Sequence, residues 1–159
     1  MSLVDGPLRL QLMAKAAQAR RDLVSRSPIV SFHALGKPAT KGSWKIRRKR
    51  GKAFLQADND REKPWALMVG WAAKEAMAGR PLIDRGVKVS ILFDFVRPKN
   101  PAREFPTGDV DKLARSTLDA LTGTVWTDDV LVVSMDVTKR YVAKDPGAHI
   151  YVYELGGRV

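Results

Sequence analysis

Apolar and polar positions recur along this chain with two periods, and the switches between them divide it into elements. Over residues 8–24, LRLQLMAKAAQARRDLV, the residues Leu8, Leu12, Ala16 and Ala19 or Leu23 fall at helical spacing. Arg9, Lys15, Arg20 and Arg21 lie mostly off that stripe, and Ser27-Pro28 ends the helix. Residues 29–34, IVSFHA, predict a first strand. Gly36, Pro38 and Gly42 then mark turns. Trp44, Ile46 and Arg48 alternate with basic residues, as in a strand with one wet face. The run Arg47-Arg48-Lys49-Arg50 before Gly51 has the pattern of a hairpin tip.

Helical spacing returns over residues 61–78, REKPWALMVGWAAKEAMA. Pro64 is tolerated in a first turn. Trp65, Met68, Trp71 (or Ala72) and Ala76 form the expected buried side, with Gly79 as C-cap. Residues 87–96, VKVSILFDFV, alternate and then fill in, as a strand near the centre of a sheet does. Residues 97–108, with three prolines, predict a loop long for a compact domain. A helix is expected over 112–121, packed through Leu113, Thr117 and Leu121 with Ala114 and Leu118. Strands are expected over 130–138 and 148–155.

This order predicts one mixed α/β (α+β) domain over residues 28–159, preceded by an N-terminal helical extension over 1–27. The chain has neither a phosphate-binding P-loop nor a dinucleotide fingerprint, so no nucleotide cofactor is expected. No run of 18 apolar residues exists, and the N-terminal stretch lacks a signal-peptide pattern, so neither a membrane span nor export is expected. The absence of cysteine excludes disulfides, thiolate chemistry and cysteine-based zinc sites.

Charge changes the picture. The net charge is +11, and residues 1–57 account for it, with 13 Lys or Arg against Asp5 and Asp22. The rest of the chain balances. A basic segment of this kind attracts polyanions by phosphate neutralisation and counterion release, although it can also serve solubility. Lys37, Lys41, Lys45, Arg47, Arg48, Lys49, Arg50 and Lys52 are the candidate contacts to a DNA backbone.

The candidate chemistry lies in residues 108–130, GDVDKLARSTLDALTGTVWTDDV. Asp109 and Asp111 are two apart, and on an extended backbone their side chains point the same way. Asp111 can instead cap the helix that follows. Asp128 and Asp129 follow that helix, which can fold the chain back to bring the second pair to the first. Carboxylates that meet repel one another unless a cation neutralises them, and an all-oxygen set favours Mg2+, with Mn2+ as a substitute. Lys112 and Arg115 are the nearest positive charges. Arg115 can pair with Asp111 or Asp119, or face DNA. His33 and His149 stand alone in sequence and are expected as packed or surface residues. Asp94 and Asp136 lie within strands and have no local motif.

These residues resemble the RusA family of phage and prophage Holliday-junction resolvases. The resemblance rests on Asp109-Val110-Asp111-Lys112, Leu118-Asp119-Ala120-Leu121, Gly123, Trp126 and Asp128-Asp129-Val130, in that order, and on the opening Gly36–Ser43. It covers residues 29–155. It implies a RusA-like fold, in which a mixed sheet is packed by helices and joined by a basic ribbon. It also implies a cytoplasmic homodimer that binds four-way DNA junctions and makes paired cuts with Mg2+. Asp109, Asp111 and Asp129 match the family's essential carboxylates, and Asp128 the adjacent acid. Two positions depart from the pattern. The family's usual asparagine after the second Asp is Lys112 here, and its helix lysine falls on Arg115. Arginine keeps the charge but changes its geometry and does not donate a proton as lysine does. Alternatives of other scope are a nuclease for flaps, forks and other branched DNA, a non-catalytic DNA-binding protein, and a protein-binding basic arm.

Overall fold

A computed structural model describes residues 6–22, 27–42, 44–49, 52–57 and 60–155. Helix α1 spans Gly6–Asp22. Its described side chains, Leu10 to Gln18, are all exposed, so Leu12 and Ala16 of the expected stripe find no cover there. Leu8, Ala19 and Leu23 lie outside the described side chains.

Four strands form one mixed sheet in the order β1-β6-β4-β5: Val30–Leu35 (β1), Val87–Val96 (β4), Val132–Val142 (β5) and Gly147–Glu154 (β6). β6 pairs antiparallel with β1 and β4, while β5 runs parallel to β4. A parallel pair needs a crossover. Here that crossover contains helix α3, Val110–Leu121. The ribbon is a separate antiparallel pair, Trp44–Lys49 (β2) with Lys52–Ala57 (β3), closed by Lys49 opposite Lys52. Residues Arg50 and Gly51 at its tip, and the side chains of Lys45, Arg47, Arg48 and Lys49, lie outside the described residues. Lys52 is exposed.

Alternation along β4 buries Val87, Val89, Ile91 and Phe93. Ala148, Ile150 and Val152 of β6, with Val30 and Ala34 of β1, also join the core, which α2 (Glu62–Met77) and α3 complete. The phase of α2 differs from the one its sequence predicts. Its buried side is Trp65, Val69, Ala73 and Met77, whereas Trp71 is 62% and Met68 39% exposed. The helix is apolar over most of its circumference, so spacing alone does not select a face; packing against β1 and α3 does. Trp65 lies tilted on Phe93, with ring centroids 6.3 Å apart. Its Nε1 donates to Thr117 Oγ1 at 3.2 Å, tying α2 to α3 inside the core. The helix closes at Ala78 and Gly79, both in the left-handed region, one residue earlier than the expected glycine cap.

The turn after α3 is equally fixed. Val125 and Trp126 are buried, and Ile83 exchanges backbone hydrogen bonds with Val125 and Thr127, at 2.8 and 3.3 Å. Trp126 Nε1 donates to Thr122 Oγ1 at 3.2 Å, and Gly123 turns the chain with φ +79. A single 3-10 turn, Asp129–Leu131, leads into β5, which begins two residues later than expected.

Candidate active site

The long loop ends at Gly108, whose φ of +103 suits glycine. Asp109 then occupies the N-cap of α3 without a side-chain capping bond, and Asp111 lies in its first turn. Helix therefore begins two residues earlier than expected. The two carboxylates are brought to one place by the first helical turn and not by extended alternation.

Asp109 and Asp111 line an open cleft between α3 and the edge strand β5, opposite Met135, Val137 and Lys139. Lys139 Nζ donates to Gly108 O at 2.6 Å and lies 5.7 Å from the centre of the Phe105 ring, so it holds both ends of the loop's last turn to β5. Only the parallel placement of β5 beside β4 carries it there, and no local motif marks it. Lys112 reaches back from the first turn to Asp109 Oδ2 at 3.1 Å.

Asp128 and Asp129 lie elsewhere. Asp128 caps the 3-10 turn by accepting from Val130 N at 2.9 Å, and Asp129 is exposed beside it. The 12-residue α3 is about 18 Å long, which separates its first turn from the second acidic pair. Measured along β5, the step from Val132 to Lys139 is roughly 23 Å. The expectation that the helix folds the second pair onto the first is thus corrected. The helix is a rod, and the buried Trp126 turn fixes the second pair at its far end.

The remaining cations take separate places. Asp119 pairs with Lys41, not Arg115. Lys41 N donates to Lys112 O at 3.0 Å, so Lys41 braces the side of α3. Arg115 is exposed and forms no ion pair among the described residues. Lys37 is exposed and lines a groove that shares Gly108 with the acidic cleft.

A second polar group crosses the sheet on the opposite face. His33 (β1) stacks on His149 (β6), with centroids 4.1 Å apart and planes 2° apart. His149 Nε2 lies 2.9 Å from Asp94 Oδ2, and Arg140 Nε donates to Asp94 Oδ1 at 2.6 Å. The ligand atoms of His33, Asp94 and His149 all lie within 4.8 Å of one another, a set that can hold a metal ion. None of the three has a partner within its own segment, because the order β1-β6-β4-β5 that unites them is not visible locally. Burial alone would raise the Asp94 carboxyl, but hydrogen bonds from Arg140 and His149 hold it below the usual carboxylate range. Burial first, then His149 beside it, lowers His33, against the pull of Asp94 and Asp145.

The sign for stability follows from these two shifts. Below about pH 6.5 the unfolded chain protonates His33 before the folded one does, so stability falls with acidification. The Asp94 contribution disappears at lower pH still, as its carboxyl protonates. Urea midpoints measured between pH 8 and pH 5 are expected to decline for the wild type and to decline less for H33N.

The model of the family described as Endodeoxyribonuclease RusA matches residues 36–153. No curated protein matches the chain. The matched span contains the ribbon, the cleft and both acidic pairs, and begins after His33.

Proposed function

The chain belongs to the RusA family of endodeoxyribonucleases and is a metal-dependent Holliday-junction endonuclease, and from that premise we propose that Asp109 and Asp111 hold its Mg2+, for which Mn2+ can substitute, with Asp129 completing the set across the homodimer. The observation that carries this reading is the pairing of Asp109 and Asp111 on one helical turn in an open cleft. Their oxygen-only chemistry fits Mg2+. The His33–Asp94–His149 set fits it less well. Imidazoles suit transition metals, and both oxygens of Asp94 are already engaged by Arg140 and His149.

When bound, the ion lowers the pKa of a water and offsets charge developing on the phosphate. The chain supplies the rest. Lys139 fixes the Gly108–Asp109 peptide, and Lys112 orients Asp109. Lys37, the exposed Lys52 and the other basic residues of the ribbon hold flanking phosphates. Such contacts position DNA without reading its sequence. Asp128 acts as a cap that orients Asp129. The substrate is a four-way junction, the working form a homodimer, and the setting the cytoplasm of a bacterial cell. Among the described residues no helix is long and apolar enough to cross a membrane.

The test is cleavage of a labelled four-way junction beside forked and linear duplexes, with Mg2+ or with chelator. Metal-dependent paired cuts confined to the junction are expected. Equal cutting of all branched forms would replace strict junction selectivity with a broader branched-DNA nuclease. Within this site Lys112, which touches Asp109, is expected to matter more than Arg115. K112A should lower the cleavage rate about tenfold, as loss of a group that orients a metal ligand does. R115A should lower it less. The opposite order would give the positive role to Arg115.

A further inference from the structure

We propose that His33, Asp94 and His149 form a second metal site, for a transition-metal ion of the Zn2+ class, which fastens β1 and β6 to β4 and takes no part in the chemistry of the cleft. The chain contains two histidines and no cysteine. Both histidines stand in this one place, as direct partners across the β1–β6 pair. Asp94 lies on the next strand, opposite Gly147. Its side chain is 6% exposed, so a carboxylate is held in the sheet beside the two imidazoles.

Gly147 makes the room. It faces Asp94 across the β4–β6 pair, and a Cβ on it would press on Ala34 O and stand 2.8 Å from His33 Nε2. A side chain at this position would enter the space where the ligand atoms meet, and glycine leaves it open. Those atoms all lie within 4.8 Å of one another. A tetrahedral ion with bonds of about 2.0–2.1 Å holds its donors about 3.4 Å apart. His33 is exposed, so its ring can turn through the small remaining distance. His149 Nε2 and Asp94 Oδ2 already stand at 2.9 Å. The ion takes the place of the proton they share, which passes to solvent. Arg140 stays outside the ligand shell. It holds Asp94 Oδ1 at 2.6 Å, with a 3.4 Å contact to Oδ2, and so orients the carboxylate as outer partners of metal ligands do. Water completes the shell on the exposed side of His33.

Two imidazoles and one carboxylate suit Zn2+, Co2+ or Ni2+, whereas the all-oxygen cleft suits Mg2+. The two sites therefore sort ions by ligand type, on opposite faces of the sheet. His33 precedes residue 36, where the family match begins, so this site is no part of what that match implies. An ion here ties together strands from the start, middle and end of the domain, and it stabilises the fold by mass action.

The test titrates Zn2+ or Mg2+ alone into the full chain, free of any histidine tag, and follows the histidine ring signals by NMR. Both histidines are expected to shift together and to saturate at one Zn2+ per chain, in the wild type and in the D109N/D111N double variant alike. Mg2+ should leave them in place. H33N, at an exposed position, should keep its fold and bind Zn2+ about tenfold or more weaker, since loss of an outer-shell partner alone costs that much. Zn2+ at roughly 100 times its Kd should raise the thermal midpoint of the wild type by about 5–10 °C, and that of H33N far less. H33N should cut junctions in Mg2+ at the wild-type rate. Histidine signals that stay unshifted at millimolar Zn2+ would overturn the site and leave a hydrogen-bonded row across the sheet. Zn2+ binding lost in D109N/D111N but kept in H33N would overturn it in favour of the cleft. A folded H33N that no longer cuts would overturn the separation of this site from catalysis.

Discussion

D111N is expected to abolish cleavage, by about 10³-fold or more, while the protein keeps its fold and its grip on the junction. Asp111 is exposed in the first turn of α3 and, among the described residues, supports no other side chain. Its substitution should change stability by less than about 0.5 kcal/mol, as at other surface positions. The loss in rate corresponds to roughly 4 kcal/mol of transition-state stabilisation, within what a bound metal ion supplies. Junction cleavage under single-turnover conditions and junction binding in chelator measure the two effects separately. Retained cleavage by D111N alongside inactivity of D94N would transfer the metal to the His33–Asp94–His149 set.

The second large effect is on stability. W126A is expected to cost about 3–5 kcal/mol, as removal of a buried tryptophan does. Trp126 is fully buried and also donates to Thr122. Because its turn holds Asp128 and Asp129 at the head of β5, the variant should also cleave poorly under conditions where most of it is folded. W126F, which keeps one six-membered aromatic ring but loses the pyrrole part and its N–H, should recover only part of the stability. Urea unfolding of the three proteins decides it. A loss below about 1 kcal/mol in W126A would mean that the Ile83 backbone bonds alone fix the turn.

What was legible in the sequence, and what was not, follows from the range over which each feature is determined. β4 was placed at its observed bounds, because ten residues of alternation and filling identify a buried strand without reference to neighbours. The two acidic pairs were legible as motifs, since each is contiguous. Their separation was not, because it depends on the rigidity of α3 and on where Trp126 anchors the chain. The buried side of α2 differs from the expected one at Met68 and Trp71. Bulk and hydrophobicity favour tryptophan as a core residue, but the sheet selects the stripe through Val69 and Ala73. Lys139 and the His33–Asp94–His149 group are products of strand order, and each member is unremarkable in its own segment.

The sheet order also sets how the chain reaches this state. β1, near the start, pairs with β6, near the end, across more than a hundred residues. Such non-local pairing is slow to form, since a long loop must close before any contact rewards it. During synthesis at about 5–20 residues per second, β1 waits several seconds for its partner to emerge. Until then one side of β4 also lacks the strand that lies between it and β1. A ribosome-stalled chain ending before Gly147 should therefore be open to proteolysis throughout, and extension through Glu154 should protect the domain in a single step.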